Sequence, residues 1–213
     1  MNKEEIKTKL EIAEGIDHLK EGANEFVKLI INMEQELKTL NDSVAFISGM
    51  VGYSCQAALL EKKQNYFLAK TTIGKNYIFG DSLNYYLIES KFSFYNILMG
   101  QFHNKLPEKD VLDIKPYLCR VASNIANEKY LIQGLFNPEK IFDFEFYRSN
   151  WKNFYKTLIK YCKTPEEWPI LFSLAMINFL DILDKTCGKE CYIIMTSIAL
   201  ENAIYVSKIL QKT

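Results

Sequence analysis

Two carboxylates and two amides occupy the most apolar part of the sequence. Residues 170–180 and 192–200 read as helix that is apolar almost all round, which places both segments inside a bundle. Asn178 and Asp181 fall three apart on one face of the first, and Glu201 and Asn202 interrupt the second. Facing carboxylates in a bundle core titrate unusually, bind a metal or hold a polar ligand. At a solvent edge, or bonded to a neighbouring helix, they do none of these. A second concentration lies between Tyr66 and Tyr95, where nine aromatic residues, Tyr85 and Tyr86 among them, exceed their proportional share. Tyrosine suits places where one end of the ring is buried and the other wet, such as a pocket rim or the underside of a hairpin. A chain that binds a small ligand, or acts as an enzyme, is therefore expected to draw its pocket from Tyr85, Tyr86, Asn178, Asp181 and Glu201.

A basic row is the most specific surface signal. Arg148, Lys152, Lys156 and Lys160 recur every four residues, Lys163 follows, and no acidic residue lies between Tyr147 and Lys163. Four residues advance a helical side chain by about 400°, so the row drifts slowly round the axis and stays on one exposed face. Like charges at this spacing repel by roughly a few tenths of a kcal/mol per pair, a burden that an acidic partner relieves. Tyr147, Trp151 and Tyr155 form a parallel aromatic row, and Ile141, Phe144, Trp151, Leu158 and Cys162 supply the apolar side. Basic and aromatic rows together suit an acidic protein, a phosphate backbone or membrane headgroups. A solvated lysine face beside a core face produces the same pattern. Arg148, Lys152, Lys156 and Lys160 are the expected partner-binding residues.

Other chemistries leave no signature. The sequence has no Gly-rich phosphate loop, serine elbow or paired-histidine helix, so no catalytic residue, cofactor or metal is assigned, and an enzyme is the less favoured class. His18 lies among Asp17, Lys20 and Glu21 on a solvated face, and His103 falls at a helix end. Cys187 and Cys191 sit one turn apart across Gly188 but lack the repeated pair that structural zinc needs. The five cysteines, odd in number and mostly among apolar residues, read as reduced thiols, and the charged start of the sequence has no apolar signal region. A cytoplasmic location is expected. The 26 Lys and Arg balance the 26 Asp and Glu, and Arg120 and Arg148 are the only arginines. Bidentate guanidinium readout is thus poorly supplied, and sequence-specific DNA binding is not expected.

The elements that must hold these residues are mostly helical. Apolar positions Ile16, Leu19, Ala23, Phe26, Ile30, Met33, Leu37 and Leu40 alternate three and four apart, a heptad seam on one long or two short helices over 3–40. The seam packs on its own bundle, or it pairs two copies of the chain through Ile16, Leu19, Phe26, Ile30, Met33 and Leu37. Asp42 or Ser43 caps a second helix to about Leu60. The charge-free run 43–60, rich in small residues, reads as a central buried helix and not a membrane span. Residues 66–73 and 76–79 alternate about Gly74-Lys75 as a type II′ hairpin, with Phe67, Leu68, Ile78 and Phe79 to be covered by helices. Helices are then expected over 82–89, 92–104, 107–114, 116–133, 138–162, 165–186 and 190–210, with Thr164-Pro165-Glu166-Glu167 as a capping box.

The fold expected is mainly α: a multi-helix bundle with one accessory β-hairpin at about 65–80, forming a single domain over 1–213. Residues 1–41 form an amphipathic segment that packs on or outside the main bundle. The function this favours is a cytoplasmic interaction protein of bacterial style, an adaptor or immunity-type inhibitor, binding a protein partner through its surface helices. The alternative is a ligand-binding protein or enzyme with a polar site in the bundle core.

Overall fold

The computed structural model describes residues 3–33, 35–70, 76–105, 112–125, 127, 130, 132 and 144–210, with side chains from residue 15 to residue 209. Along the chain run α1 (Lys3–Ile31), α2 (Leu40–Glu61), β1 (Phe67–Lys70) and β2 (Asn76–Phe79). The single turn α3 (Asp81–Asn84) continues into a π-helical turn at Tyr85–Glu89. It is followed by α4 (Phe94–Lys105), α5 (Lys115–Asn124), α6 (Phe144–Tyr161), α7 (Glu167–Lys208) and the two-residue β3 (Ile209–Leu210). The molecule is a mainly helical bundle with an accessory hairpin.

Its centre is the contact between α2 and α7. A methyl group on Gly52 would lie 2.4 Å from the Ala203 carbonyl oxygen, so the two backbones touch with no side chain between them. Polar side chains fix the register. The Asn202 amide donates to the Ala45 carbonyl at 2.6 Å and to Ser48 Oγ at 3.0 Å. The Gln56 amide lies within 2.9 Å of the Val206, Ser207 and Ile209 carbonyls, where α7 ends. By length and composition α2 could cross a membrane, but 78% of that apolar stretch is buried inside the fold. It begins in a capping box between Thr39 and Asp42. The cap thus falls at Thr39, with Asp42 as the acidic member of the box, and not at Asp42 or Ser43.

The heptad seam of α1 is filled from within the chain. Leu19, Ala23 and Phe26 are fully buried, Ile30, Ile16 and Leu37 nearly so, and Met33 is half-buried. Phe26 meets Phe154 of α6 at 5.1 Å and Phe172 of α7 at 4.7 Å between ring centres. The residues expected to pair two copies therefore spend their apolar surface inside one protomer, and α1 from Ile16 onward packs in the bundle. α1 stops at Ile31, because the Thr39 cap starts a new helix before the sequence pattern runs out.

Three further expectations need correction. Gly188, at φ 81° and ψ 177°, breaks α7 into segments 167–187 and 189–208, but the first begins without a side-chain cap. Glu167 uses its carboxylate to accept from the Lys163 backbone N–H at 2.6 Å, so the expected box at Thr164 does not form. α5 ends at Asn124, nine residues short of the expected stop. In the sheet, ordered β1-β2-β3, the central strand buries Tyr77 and Ile78. Phe67 and Leu68 of β1 remain 62% and 58% exposed, contrary to the cover expected for them. β1 is an edge strand, and among the described residues Phe67 stacks on the Phe79 ring at 5.6 Å. The Gly74-Lys75 turn, Ile141 and the expected helix starts at 107 and 138 lie outside the described residues.

Candidate functional site

α6 presents the basic row as a surface. Tyr147, Asn150, Phe154, Thr157 and Leu158 point into the bundle, and Arg148, Lys152, Lys156 and Lys160 are all exposed. At about 100° per residue, Tyr155, Ile159, Lys152 and Lys156 share an arc of about 100° on the outer side. The aromatic row does not run beside the basic one as a surface. Tyr147 is buried against Phe46, Trp151 is half-buried against Tyr53 and Trp168, and only Tyr155 is exposed. Each step of four residues turns the row by about 40°, which carries it from core to solvent over two steps.

The same drift partners the two ends of the basic row. Arg148 Nε donates to Glu145 at 3.0 Å within α6, and Lys160 reaches Glu25 of α1 at 3.0 Å. Tyr161 also donates to Glu25, at 2.7 Å, and with Lys160 holds that carboxyl below its ordinary range. Lys152 and Lys156 form no ion pair among the described residues. They stand on the outer arc beside exposed Tyr155 and Ile159, the latter 59% exposed.

The polar residues expected in a core pocket lie apart. Asp181 accepts from Gln101 at 3.0 Å and pairs with Lys105 at 2.7 Å, and Lys105 also reaches Asp184 at 2.9 Å. Burial works against the charged Lys105 ammonium, but the two carboxylates outweigh it and its pKa is raised. Glu201, 1% exposed, is held by both nitrogens of the Arg120 fork at 2.8 and 3.0 Å and by the Tyr130 hydroxyl. It lies beyond the Gly188 break from Asp181 and shares none of its bonding partners, so the two carboxylates belong to separate neighbourhoods. Asn178 bonds to Asn24 at 2.9 Å and, with Asp181, lines an open surface depression of about 440 Å³ between α1 and α7.

Tyr85 and Tyr86 do line a cleft, of about 320 Å³, with Ser90, Lys91 and Phe92 on one side and Glu166, Pro169 and Ile170 on the other. Tyr86 is buried and Tyr85 is exposed at the rim, their rings edge to face at 5.8 Å. Burial, then the nearby Glu166 carboxylate, pushes the Tyr86 phenol up to about 12. Burial pushes the Glu166 carboxyl up, but Lys62 at 2.8 Å, a backbone N–H and the Thr164 hydroxyl together outweigh it and draw it down.

Several residues of these neighbourhoods carry no sequence signal. Arg120, Gln56 and Lys208 each stand alone in their segments, and what they meet is far along the chain. Lys208 is 7% exposed, lies over the Phe79 ring at 5.2 Å and faces buried Cys55. Burial lowers its pKa. His18, expected on a solvated face, is half-buried and lies 3.1 Å from Glu167. Among the described residues no three His, Cys, Asp or Glu side chains converge to hold a metal ion.

Comparison with known proteins gave no match to this chain among family models, curated proteins or solved structures.

Proposed function

We propose that this chain is a helical interaction protein that binds an acidic protein partner through the outer face of α6. One observation carries the reading: Lys152 and Lys156 are exposed and, among the described residues, without ion pairs on the arc that also exposes Tyr155 and Ile159. Large apolar groups flanked by uncommitted cations offer a partner both desolvation energy and charge complementarity. Arg148 and Lys160, already paired with Glu145 and Glu25, sit at the ends of the face and contribute less. An adaptor or an immunity-type inhibitor is the role this fits. All five cysteines are free thiols, which supports a reducing compartment such as the cytoplasm as its place.

The test is retrieval of partners from an extract of the source cells by wild type and by the Lys152→Glu/Lys156→Glu variant. The expected result is an acidic protein retained by wild type at low salt and lost both in the variant and at about 0.5 M salt, where the Debye length is only a few ångströms. Both substitutions are at exposed positions, so stability should change by no more than about 0.5 kcal/mol. Identical proteins retained by both forms, indifferent to salt, would overturn the reading.

A further inference from the structure

Cys187 and Cys191 stand on either side of the break in α7. Gly188 between them, at φ 81° and ψ 177°, holds a backbone conformation that favours glycine. A methyl group at this position would meet nothing within 4 Å, so the glycine serves the break and not a close contact. In an unbroken helix, positions four apart hold their Cβ atoms about 5–6 Å from each other. A disulfide needs about 3.5–4.5 Å. At the break the regular spacing no longer applies, and the two thiols are hydrogen-bonded to one another.

Their surroundings separate these two thiols from the other three. Residues 185–190 are all exposed, Cys187 among them, and Cys191 is half-buried. Burial raises the Cys191 pKa and the bond to Cys187 adds to the effect, so Cys191 keeps its proton. Cys187 is then the thiol that a reagent in solution meets first. Cys55 is fully buried, which drives its thiol far up, and burial pushes Cys162 up to about 12. Cys119 is exposed, but on α5.

We propose that Cys187 and Cys191 form a modification site, a dithiol that hydrogen peroxide converts to an intramolecular disulfide across Gly188. The Cys187 thiolate attacks one peroxide oxygen, so that an S–O bond forms, the O–O bond breaks and the departing hydroxide takes up a proton as water. The Cys191 sulfur, releasing its proton to solvent, then attacks the Cys187 sulfenic acid. The S–S bond forms, the S–O bond breaks and a second water leaves. Together the thiols give up two electrons and two protons, and one peroxide becomes two waters. Thiol exchange reverses the bond, as suits a disulfide that forms transiently in a reducing compartment. The site is on α7, and its test does not depend on the α6 face.

The test is exposure of the intact chain to equimolar hydrogen peroxide, alkylation of the remaining thiols and tryptic peptide mapping by mass spectrometry. Trypsin cuts after Lys185 and Lys189, so the disulfide joins peptides 186–189 and 190–208. That linked pair should be the main thiol oxidation product, within a single chain on a denaturing non-reducing gel, and reduced glutathione should remove it. Cys191→Ser should stop the reaction at a Cys187 sulfenic acid that dimedone traps, and Cys187→Ser should yield neither product. Gly188→Ala keeps both thiols and has room for its methyl group, but alanine is strained in this backbone conformation and draws the helix toward regular spacing. Its yield of the linked pair should fall several-fold. Absence of the linked pair in wild type, linkage only between chains, or a yield unchanged in Gly188→Ala would overturn the assignment.

Discussion

Burial treats Glu201 and Lys208 in opposite ways. Glu201 is enclosed with a guanidinium fork and a phenol, so its charge is compensated at short range. Lys208 has an aromatic face and a neutral thiol, and neither replaces water. Its ammonium is therefore a cost to the fold, and Lys208→Met, which keeps the length of the side chain, should stabilise the protein at neutral pH by on the order of 1 kcal/mol. The pH dependence has a definite sign. The folded pKa lies below the ordinary 10.5, so in the window between the two the unfolded chain holds more protons and stability rises with pH. Denaturant unfolding across that window should show the rise in wild type and not in the methionine variant. Equal stability of the two forms at neutral pH would contradict this account of Lys208.

Close approach governs the elements. Gly49 and Gly52 lie one turn apart on α2, yet a methyl group would be received differently at each. At Gly49 it would fall 2.2 Å from the ring of buried Tyr147, which would have to repack, and at Gly52 it would meet the Ala203 and Ser207 backbone of α7, which cannot. Gly52→Ala should thus destabilise by at least about 2 kcal/mol, and by more than Gly49→Ala, in chemical denaturation. The reverse order would mean that α2 and α7 do not touch through their main chains. The small residues of α2 announce this approach in the sequence, as the heptad positions announce the buried side of α1. What they do not announce is the neighbour. Spacing shows that one face of a helix is apolar, but not whether a second copy or the chain's own α6 and α7 will cover it. The aromatic row of α6 misleads for a related reason, since a row of period four crosses from Tyr147 in the core to Tyr155 in solvent. The hairpin is legible as two strands, but which strand is central depends on β3, only two residues long and more than a hundred residues away. The candidate sites divide in the same way. Lys152 and Lys156 can be read from their own segment, and Tyr85 and Tyr86 from theirs. Glu166, which faces the tyrosines, is known only once α7 is seen to begin beside the π-helical turn.

At the scale of the whole molecule, a net charge of zero gives no long-range pull toward an acidic partner, so recognition must reside in a local face. The bundle supplies one. α1 and α2, with Trp168 and Phe172 of α7, cover the inner sides of α6, and the ends of the basic row are satisfied by Glu25 and Glu145. Among the described residues this leaves Lys152 and Lys156 as uncommitted cations around two exposed apolar side chains, Tyr155 and Ile159. A face of this kind acts at contact distance, and the most direct observation of it is a covalent one. A photo-crosslinking amino acid placed at Ile159 in the source cells, with Ile194 of α7, 44% exposed, as the control position, reports what touches α6. The account predicts one discrete adduct from position 159, none of that mass from position 194, and its loss when Lys152 and Lys156 are both changed to Glu. No adduct at 159, or one that survives the double charge reversal, would contradict it.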